Sequence, residues 1–169
     1  MNLKEISLSI KSVDSRLNYK QLDPMHLRST HEIRNHHSVI KFFINSKSCS
    51  FEDHICWFNR YIEDNDQIMW VILLDDQVVG QFGLYNYQIE NRSVEFGRLC
   101  IHPDFQNMGI AKNTIRSLLN SLESIKGVES VRLEVLVENS IALGLYQSLG
   151  FEINDSLTDN RTLKLSLIL

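Results

Sequence analysis

Alternation of polar and apolar residues marks the first element of the chain. Residues 17–22 read Leu-Asn-Tyr-Lys-Gln-Leu, the period of a half-buried β-strand. Asp23-Pro24 predicts the start of a helix that runs to about Asn35, because proline suits the first helical turn. A second helix is predicted after Ser50, where Ser50 and Asp53 have the spacing of a capping box. We assign its apolar face to Phe51, Ile55, Phe58 and Ile62, with Trp57 and Tyr61 beside them.

Three apolar runs in the middle of the chain predict three consecutive strands. They cover residues 68–74, 78–87 and 94–101. Asp75-Asp76-Gln77 has the length and polarity of a hairpin connection between the first two. The polar residues 90–93 separate the last two. An antiparallel meander is the simplest arrangement.

The second half of the chain alternates helices with strands. Helices are predicted over residues 109–124 and from Asn139 to Gly150, and strands over residues 130–137, 151–154 and 161–168. A helical crossover brings the next strand round in the same direction, so some parallel pairing is expected. The sequence therefore predicts a mixed α/β sheet. The apolar sides of the two helices are Ile110, Ile115, Leu118, Leu119 and Leu122, and Ile141, Leu145 and Leu149.

Size and charge narrow the class of protein. A chain of 169 residues with 43% hydrophobic and 22% charged residues suits one folded domain, 1–169, with residues 1–15 as an N-terminal extension. The net charge is -4 and no cluster of Lys and Arg stands out. Such a chain has no general attraction for a phosphate backbone, so nucleic acid is not expected as a partner.

Cysteine usage and hydropathy bear on the compartment. Cys49, Cys56 and Cys100 are odd in number, and neither they nor His36-His37 have metal-ligand spacing, so no metal is expected. We find no secretory leader and no apolar run of the roughly 20 residues that span a bilayer. A cytoplasmic protein without membrane contact is expected, and a homodimer is left open as its assembly.

The stretch from Leu99 to Lys112 combines a strand end, a loop with Pro103 and a helix start. The first turn of a helix has amide donors without partners and a partial positive charge, which favour an anion. Gly109 and Ala111 keep side-chain bulk away from these amides. We call residues 106–111 the diphosphate cradle. The alternative is that Gly109 only lets the loop turn.

Two segments resemble a known family. Gln106-Asn107-Met108-Gly109-Ile110-Ala111 matches Q/R-x-x-G-x-G/A, a signature of the GCN5-related N-acetyltransferases, although Gln106 and Ala111 are the less common choices. Residues 138–151 resemble the family's second cofactor segment, E-N-x-x-A-x-x-L-Y-x-x-x-G-F. The resemblance covers residues 16–168. It implies a mostly antiparallel sheet with a parallel, splayed strand pair and flanking helices, and acetyl-CoA as co-substrate.

The resemblance also implies where acetyl-CoA binds. The strands ending near Ile101 and Val137 should splay apart and hold the pantetheine arm against the backbone of Leu99 and Ile101. The expected cofactor-binding residues are Leu99, Cys100, Ile101, Gln106, Asn107, Met108, Gly109, Ile110, Ala111, Lys112, Asn139, Ala142 and Tyr146.

Acyl transfer to an amine requires a group that takes a proton and a group that gives one to the departing thiolate. By the resemblance, Tyr146 is the donor; the alternative is an aromatic residue packed in the core. Glu95, on a strand before Ile101, is the candidate base. Its alternatives are an exposed carboxylate or one that only binds the acceptor's cation.

For the acceptor, Arg34, His54 and Trp57 are the candidate contacts, with a scaffold role as the alternative for His54. Arg34-Asn35 and residues 50–58 resemble acetyltransferases that act on amino-sugar nucleotides. The predicted function is acetyl-CoA-dependent N-acetylation of a primary amine on a small molecule. Ribosomal-type protein N-terminal acetylation, polyamine, amino-acid or aminoglycoside acceptors, and acyl-CoA binding without turnover remain open.

Overall fold

A single twisted sheet organises the computed structural model, which describes Leu3 and residues 9–156 and 161–169. Its strand order is β1-β2-β3-β4-β5-β7-β6, and all neighbours are antiparallel except β4 and β5. The strands are β1 Leu17–Gln21, β2 Gln67–Leu74, β3 Gln77–Gln88, β4 Ser93–Ile101, β5 Ser130–Leu136, β6 Glu152–Ser156 and β7 Thr162–Ile168. The helices are α1 Leu27–Asn35, α2 His37–Ile40, α3 Phe51–Glu63, α4 Ile110–Leu122 and α5 Ser140–Ser148. The mixed α/β prediction is confirmed.

Local sequence signals account for most element boundaries. Ser50 and Asp53 form the predicted capping box of α3. Asp75 and Asp76 both adopt positive φ, at 47° and 66°, as the two-residue hairpin turn between β2 and β3 requires. The short α2 and the 3₁₀ turns Pro24–His26 and Pro103–Phe105 were not predicted.

The two faces of the sheet bury different helices. On one face, α4 packs its predicted apolar side into the main core with β-strand residues such as Ile72, Phe82 and Phe96. On the other face, Leu27 of α1 and Phe58 of α3 pack against Met69, Val71 and Leu73. The acceptor residues predicted on α1 and α3 therefore share a face of the sheet.

The predicted apolar faces of α3 and α5 were partly wrong. In α3 the buried residues are His54, Phe58 and Tyr61, whereas Ile62 is 54% exposed and Ile55 37%. The Tyr61 hydroxyl accepts a hydrogen bond from the backbone N–H of Met69 at 3.1 Å. This bond satisfies the hydroxyl, so the face of α3 that includes Tyr61 can pack against the sheet. In α5, too, the buried face differs from the predicted one, because Ile141 is exposed and Tyr146 is buried.

The described part of the predicted N-terminal extension lies against α4. The backbone N–H of Lys11 donates to Ser121 Oγ at 3.3 Å, and that of Val13 donates to Ser117 Oγ at 3.0 Å. Leu3 and Ile10 join the main core. The remainder of this segment, residues 1, 2 and 4–8, lies outside the described residues.

The parallel pair β4 and β5 separates along its length. The strands are paired from Ser93 and Ser130 as far as Glu95 and Arg132. Beyond Glu95, β4 contains a bulge, because Arg98 and Leu99 together lie opposite Phe82 of β3. The predicted splay is confirmed, and it opens the sheet from Glu95 onward.

Candidate active site

A cleft of about 990 Å³ follows the opening between β4 and β5. One end reaches the start of α4 and one side of α5. The other end lies between the sheet and the helices α1, α2 and α3. This single cleft is lined by all the predicted catalytic and acceptor residues, namely Glu95, Tyr146, Arg34, His54 and Trp57. Residues distant in sequence therefore come together there.

The diphosphate cradle has the geometry that an anion requires. Gly109 is the N-cap of α4 with φ 77°, a conformation that favours glycine, and the cap makes no side-chain hydrogen bond. A Cβ added at Gly109 would meet no atom within 4 Å, so the space above these amides is open. The Gln106 side chain donates to the Ile101 carbonyl at 3.0 Å and braces the loop. The residues present therefore fit a phosphate on the backbone amides.

The middle of the cleft matches the expected path of the pantetheine arm. Leu99, Cys100 and Ile101 line it from β4, and Asn139 and Ala142 line it from α5. Asn139 Oδ1 accepts the Ala142 N–H at 3.2 Å and caps α5, which leaves the Asn139 amide protons for a ligand. Burial raises the pKa of the Cys100 thiol to about 12, so it stays protonated at neutral pH.

Tyr146 meets the requirements of a proton donor. Its ring is buried, edge-on to Phe96 at 6.4 Å and to Phe151 at 5.8 Å between ring centroids. Burial raises its pKa to about 12, so the phenol keeps its proton at any physiological pH. Among the described residues no group accepts a hydrogen bond from the Tyr146 hydroxyl, so this proton is available to a ligand in the cleft.

Glu95 lies at the point where β4 and β5 diverge. Its side chain is half-buried, and Oε2 accepts a hydrogen bond from Asn86 Nδ2 at 2.9 Å. The neighbouring Tyr85 has a raised pKa, chiefly because it is buried and further because Glu95 is negative. Glu95 therefore provides a carboxylate on the cleft wall next to a protonated phenol.

His54 joins the helices α1 and α3. It is 4% exposed, its Nε2 lies 3.2 Å from Thr30 Oγ1, and its ring stacks on Trp57 at 5.2 Å. The Thr30 hydroxyl donates to the His26 carbonyl, so His54 Nε2 is the donor in the pair. Burial, with the charges of His31 and Arg34, lowers the pKa of His54 to about 4. His54 is therefore neutral at pH 7.

Sequence reasoning missed Tyr85 and Arg98. The Arg98 guanidinium lies 4.8 Å from the Tyr85 ring centroid and 5.9 Å from that of Trp57. The bulge gives Arg98 a φ of 55° and turns its side chain toward α3. The signal was present: Phe96 and Leu99, both packed toward the main core, are three residues apart, which breaks the strand period of two. We call Arg34, His54, Trp57, Tyr85, Glu95 and Arg98 the acceptor wall.

The splayed parallel strand pair and the open start of α4 are the features that the family resemblance predicted for an acyl-CoA-dependent transferase. The sequence model of the Acetyltransferase (GNAT) family matches residues 30–151. The chain belongs to this family, and it is an N-acetyltransferase.

Sequence similarity to known proteins extends over most of the chain. A spermidine N(1)-acetyltransferase of Vibrio cholerae is 27% identical over 140 residues, 82% of this chain and 80% of the relative. Acetyltransferase PseH of Campylobacter jejuni is 28% identical over 139 residues, 82% of this chain and 84% of the relative. The crystal structure of a Vibrio cholerae spermidine N-acetyltransferase with CoA and spermine superposes with a TM-score of 0.83 at 24% identity, covering 92% of this chain and 96% of the other. That likeness shows the fold. No helix in the described part of the chain is long and apolar enough to cross a membrane.

Proposed function

We propose that this enzyme transfers the acetyl group of acetyl-CoA to a primary amine of a small molecule, with Glu95 as general base and Tyr146 as general acid. The observation that carries the proposal is that both side chains line one cleft whose far end is the diphosphate cradle. Acetyl-CoA bound there would supply a thioester, an acyl group ready for attack by an amine.

Each residue then has a defined proton. Glu95 takes the proton that the amine must lose before or during formation of the new C–N bond. Tyr146 gives its phenol proton to the sulfur as the C–S bond breaks, and solvent restores it. Asn139 and the amides of the cradle hold the co-substrate in place, which turns attack into a reaction between positioned groups.

The acceptor is proposed from the acceptor wall. Arg34 lies on it, together with His54 and Trp57 from residues 50–58. These are the segments that resemble amino-sugar nucleotide acetyltransferases, so an amino-sugar nucleotide is the first acceptor to test. A relative named for spermidine makes a polyamine the second. Relatives named for the alanine of ribosomal protein bS18 make an N-terminal peptide the third.

The test is release of CoA thiol over a panel of amines, followed by a pH–rate profile of wild type and Glu95→Gln. We expect Glu95→Gln to lower kcat/KM by about 100-fold at neutral pH, a usual contribution for a general base, and to recover partly at high pH, where the amine is already deprotonated. Acetyl-CoA affinity should not change.

Two results would contradict this proposal. If both proteins show the same acidic limb, the base is another group. If acetyl-CoA binds but no amine or N-terminal peptide releases thiol, the domain binds acyl-CoA without turnover.

A further inference from the structure

Arg98 is held firmly but retains unused hydrogen-bond donors. Its Nη1 donates to Gln67 Oε1 and contacts Met69 Sδ at 3.6 Å, while the guanidinium lies over Tyr85 and near Trp57. Within residues 9–156 and 161–169, Nε and Nη2 form no hydrogen bond, and no carboxylate lies within 4.0 Å. A planar guanidinium has five N–H donors, so Arg98 retains a free edge.

Burial makes a counter-anion favourable at this position. Desolvation lowers the pKa of Arg98, which means that its surroundings penalise the positive charge. Electrostatic interactions with Tyr85, Asp64, Glu95 and Tyr61 offset this penalty only in part. An anion from a ligand, bound at the free edge, would complete the environment of this cation.

Arg34 repeats the arrangement on the helical side. Its hydrogen bonds within the described chain use Nη1, which donates to the Lys47 carbonyl and to Asn35 Oδ1, both at 3.2 Å. Both arginines are near the stacked pair of His54 and Trp57. The charge of Arg34 helps to lower the pKa of His54, and the Arg98 guanidinium lies 5.9 Å from the Trp57 ring centroid. Each member of the neutral pair thus has a cation near it.

The carboxylates of the cleft are mostly engaged. Asp53 closes the capping box of α3, and Glu134 Oε1 lies 3.7 Å from Lys164 Nζ. Glu95, the third carboxylate that lines the cleft, accepts one hydrogen bond from Asn86 and has lone pairs left for a ligand. A polyamine has several cations to satisfy, and this wall offers it one carboxylate and two arginines.

We propose that the acceptor amine carries an oxyanion, a carboxylate or a phosphate, which binds Arg98 between Trp57 and Tyr85, and that Arg98 thereby selects anionic amines over polyamines. This inference rests on the proposed function. It assigns to the bulge of β4 a role in choosing the substrate, because an extra residue in the strand brings the guanidinium to the acceptor wall.

Matched amines test the selection. L-alanine is compared with L-alaninamide, and glucosamine 6-phosphate with glucosamine, with spermidine as the polycation. In wild type we expect the anionic member of at least one pair to have a kcat/KM at least about 10-fold above its neutral partner, and spermidine to fall below it. The pair that responds shows whether the oxyanion is a carboxylate or a phosphate.

Variants then locate the selection. Arg98→Gln should raise KM for the anionic amine by about 10-fold or more, and it should lower kcat/KM for the anionic amine at least about 10-fold more than for the neutral partner, since a purely structural role would affect both alike. Arg98→Lys should recover part of the preference, because it keeps the charge but loses the planar fork. Arg16→Gln, an exposed arginine outside the cleft, is the control.

Equal use of both members in both pairs by the wild-type protein, or spermidine as the best acceptor, would overturn this inference even if Arg98→Gln did not fold. Equal losses for both members in Arg98→Gln would also overturn it. In each of these cases thiol release would still be observed with some amine. No thiol release with these probes, with an amino-sugar nucleotide or with any other member of the amine and peptide panel would instead overturn the proposed function, and this inference with it.

Discussion

Single side chains in this enzyme owe their chemical character to burial. The Tyr146 phenol stays protonated because its ring is enclosed by Phe96 and Phe151, and Arg98 is desolvated by Tyr85 and Trp57. Both keep donors that the described protein does not use. Unused donors on a cleft wall are groups that a ligand can engage, and so they distinguish binding residues from packing residues.

Tyr146→Phe removes only the hydroxyl and preserves the ring contacts with Phe96 and Phe151. We expect kcat to fall about 10- to 1000-fold, the range for one proton donor, with acetyl-CoA affinity unchanged. Steady-state kinetics and calorimetric titration measure the two quantities. Tyr87→Phe is the matched control: its hydroxyl donates to the Gly127 carbonyl at 2.6 Å, away from the cleft, so its kcat should remain that of wild type. An unchanged kcat in Tyr146→Phe would assign this residue to the core.

Among the elements, α4 and β4 carry the functional geometry. The start of α4 provides amides without a side-chain cap, and the bulge of β4 re-aims Arg98. Each depends on a local departure from regular structure, at Gly109 and at Arg98, where φ is positive. The positive φ has no steric cost at Gly109, which lacks a Cβ, whereas at Arg98 it has a cost that the packing of the surrounding elements must offset.

Gly109→Val tests the start of α4. A β-branched side chain at φ 77° is strained and would occupy the open space above the amides, so acetyl-CoA binding should weaken at least about 10-fold, or about 1.4 kcal/mol. Gly144→Ala is the control, because Gly144 lies inside α5 and a Cβ added there would meet no atom within 4 Å. This variant should bind acetyl-CoA with the affinity of wild type. Calorimetry on folded proteins gives the answer. Equal affinity for Gly109→Val would remove the cradle from the account of binding.

At the scale of the whole molecule, His54 ties α1 to α3 and makes stability depend on pH. Its pKa is lowered from 6.5 to about 4 in the folded protein, so below pH 6.5 the unfolded chain binds a proton that the folded chain resists. The contribution of neutral His54 to the free energy of unfolding is fully present above pH 6.5 and is lost as the pH falls through about 4. A shift of this size corresponds to at most about 3 kcal/mol.

Denaturant unfolding of wild type and His54→Gln at pH 7, 5.5 and 4 measures this effect. The variant lacks the titrating ring, so its free energy of unfolding should fall less between pH 7 and pH 4 than that of wild type. His37→Gln, which replaces an exposed histidine, should follow wild type. Parallel curves for wild type and His54→Gln would mean that His54 is protonated without penalty in the folded state.

The sequence by itself determined the strands, the longer helices and the glycine at the start of α4. Strand and helix periods, the capping box at Ser50 and the glycine before α4 act through neighbouring backbone groups, so a local pattern suffices to predict them. The splay of β4 and β5 was predicted as well, through the family resemblance. The roles of Glu95 and Tyr146 stay predictions, although both residues line the cleft.

Only the tertiary structure decided which side of α3 faces the sheet and where Arg98 points. The apolar residues between 51 and 62 form an arc wider than the face that became buried, and that face includes His54 and Tyr61, whose polar atoms bond to Thr30 and Met69. The bulge that moves Arg98 to the acceptor wall is defined by its pairing with β3. Contacts between residues far apart in the chain made both choices, and a pattern along one segment does not contain those contacts.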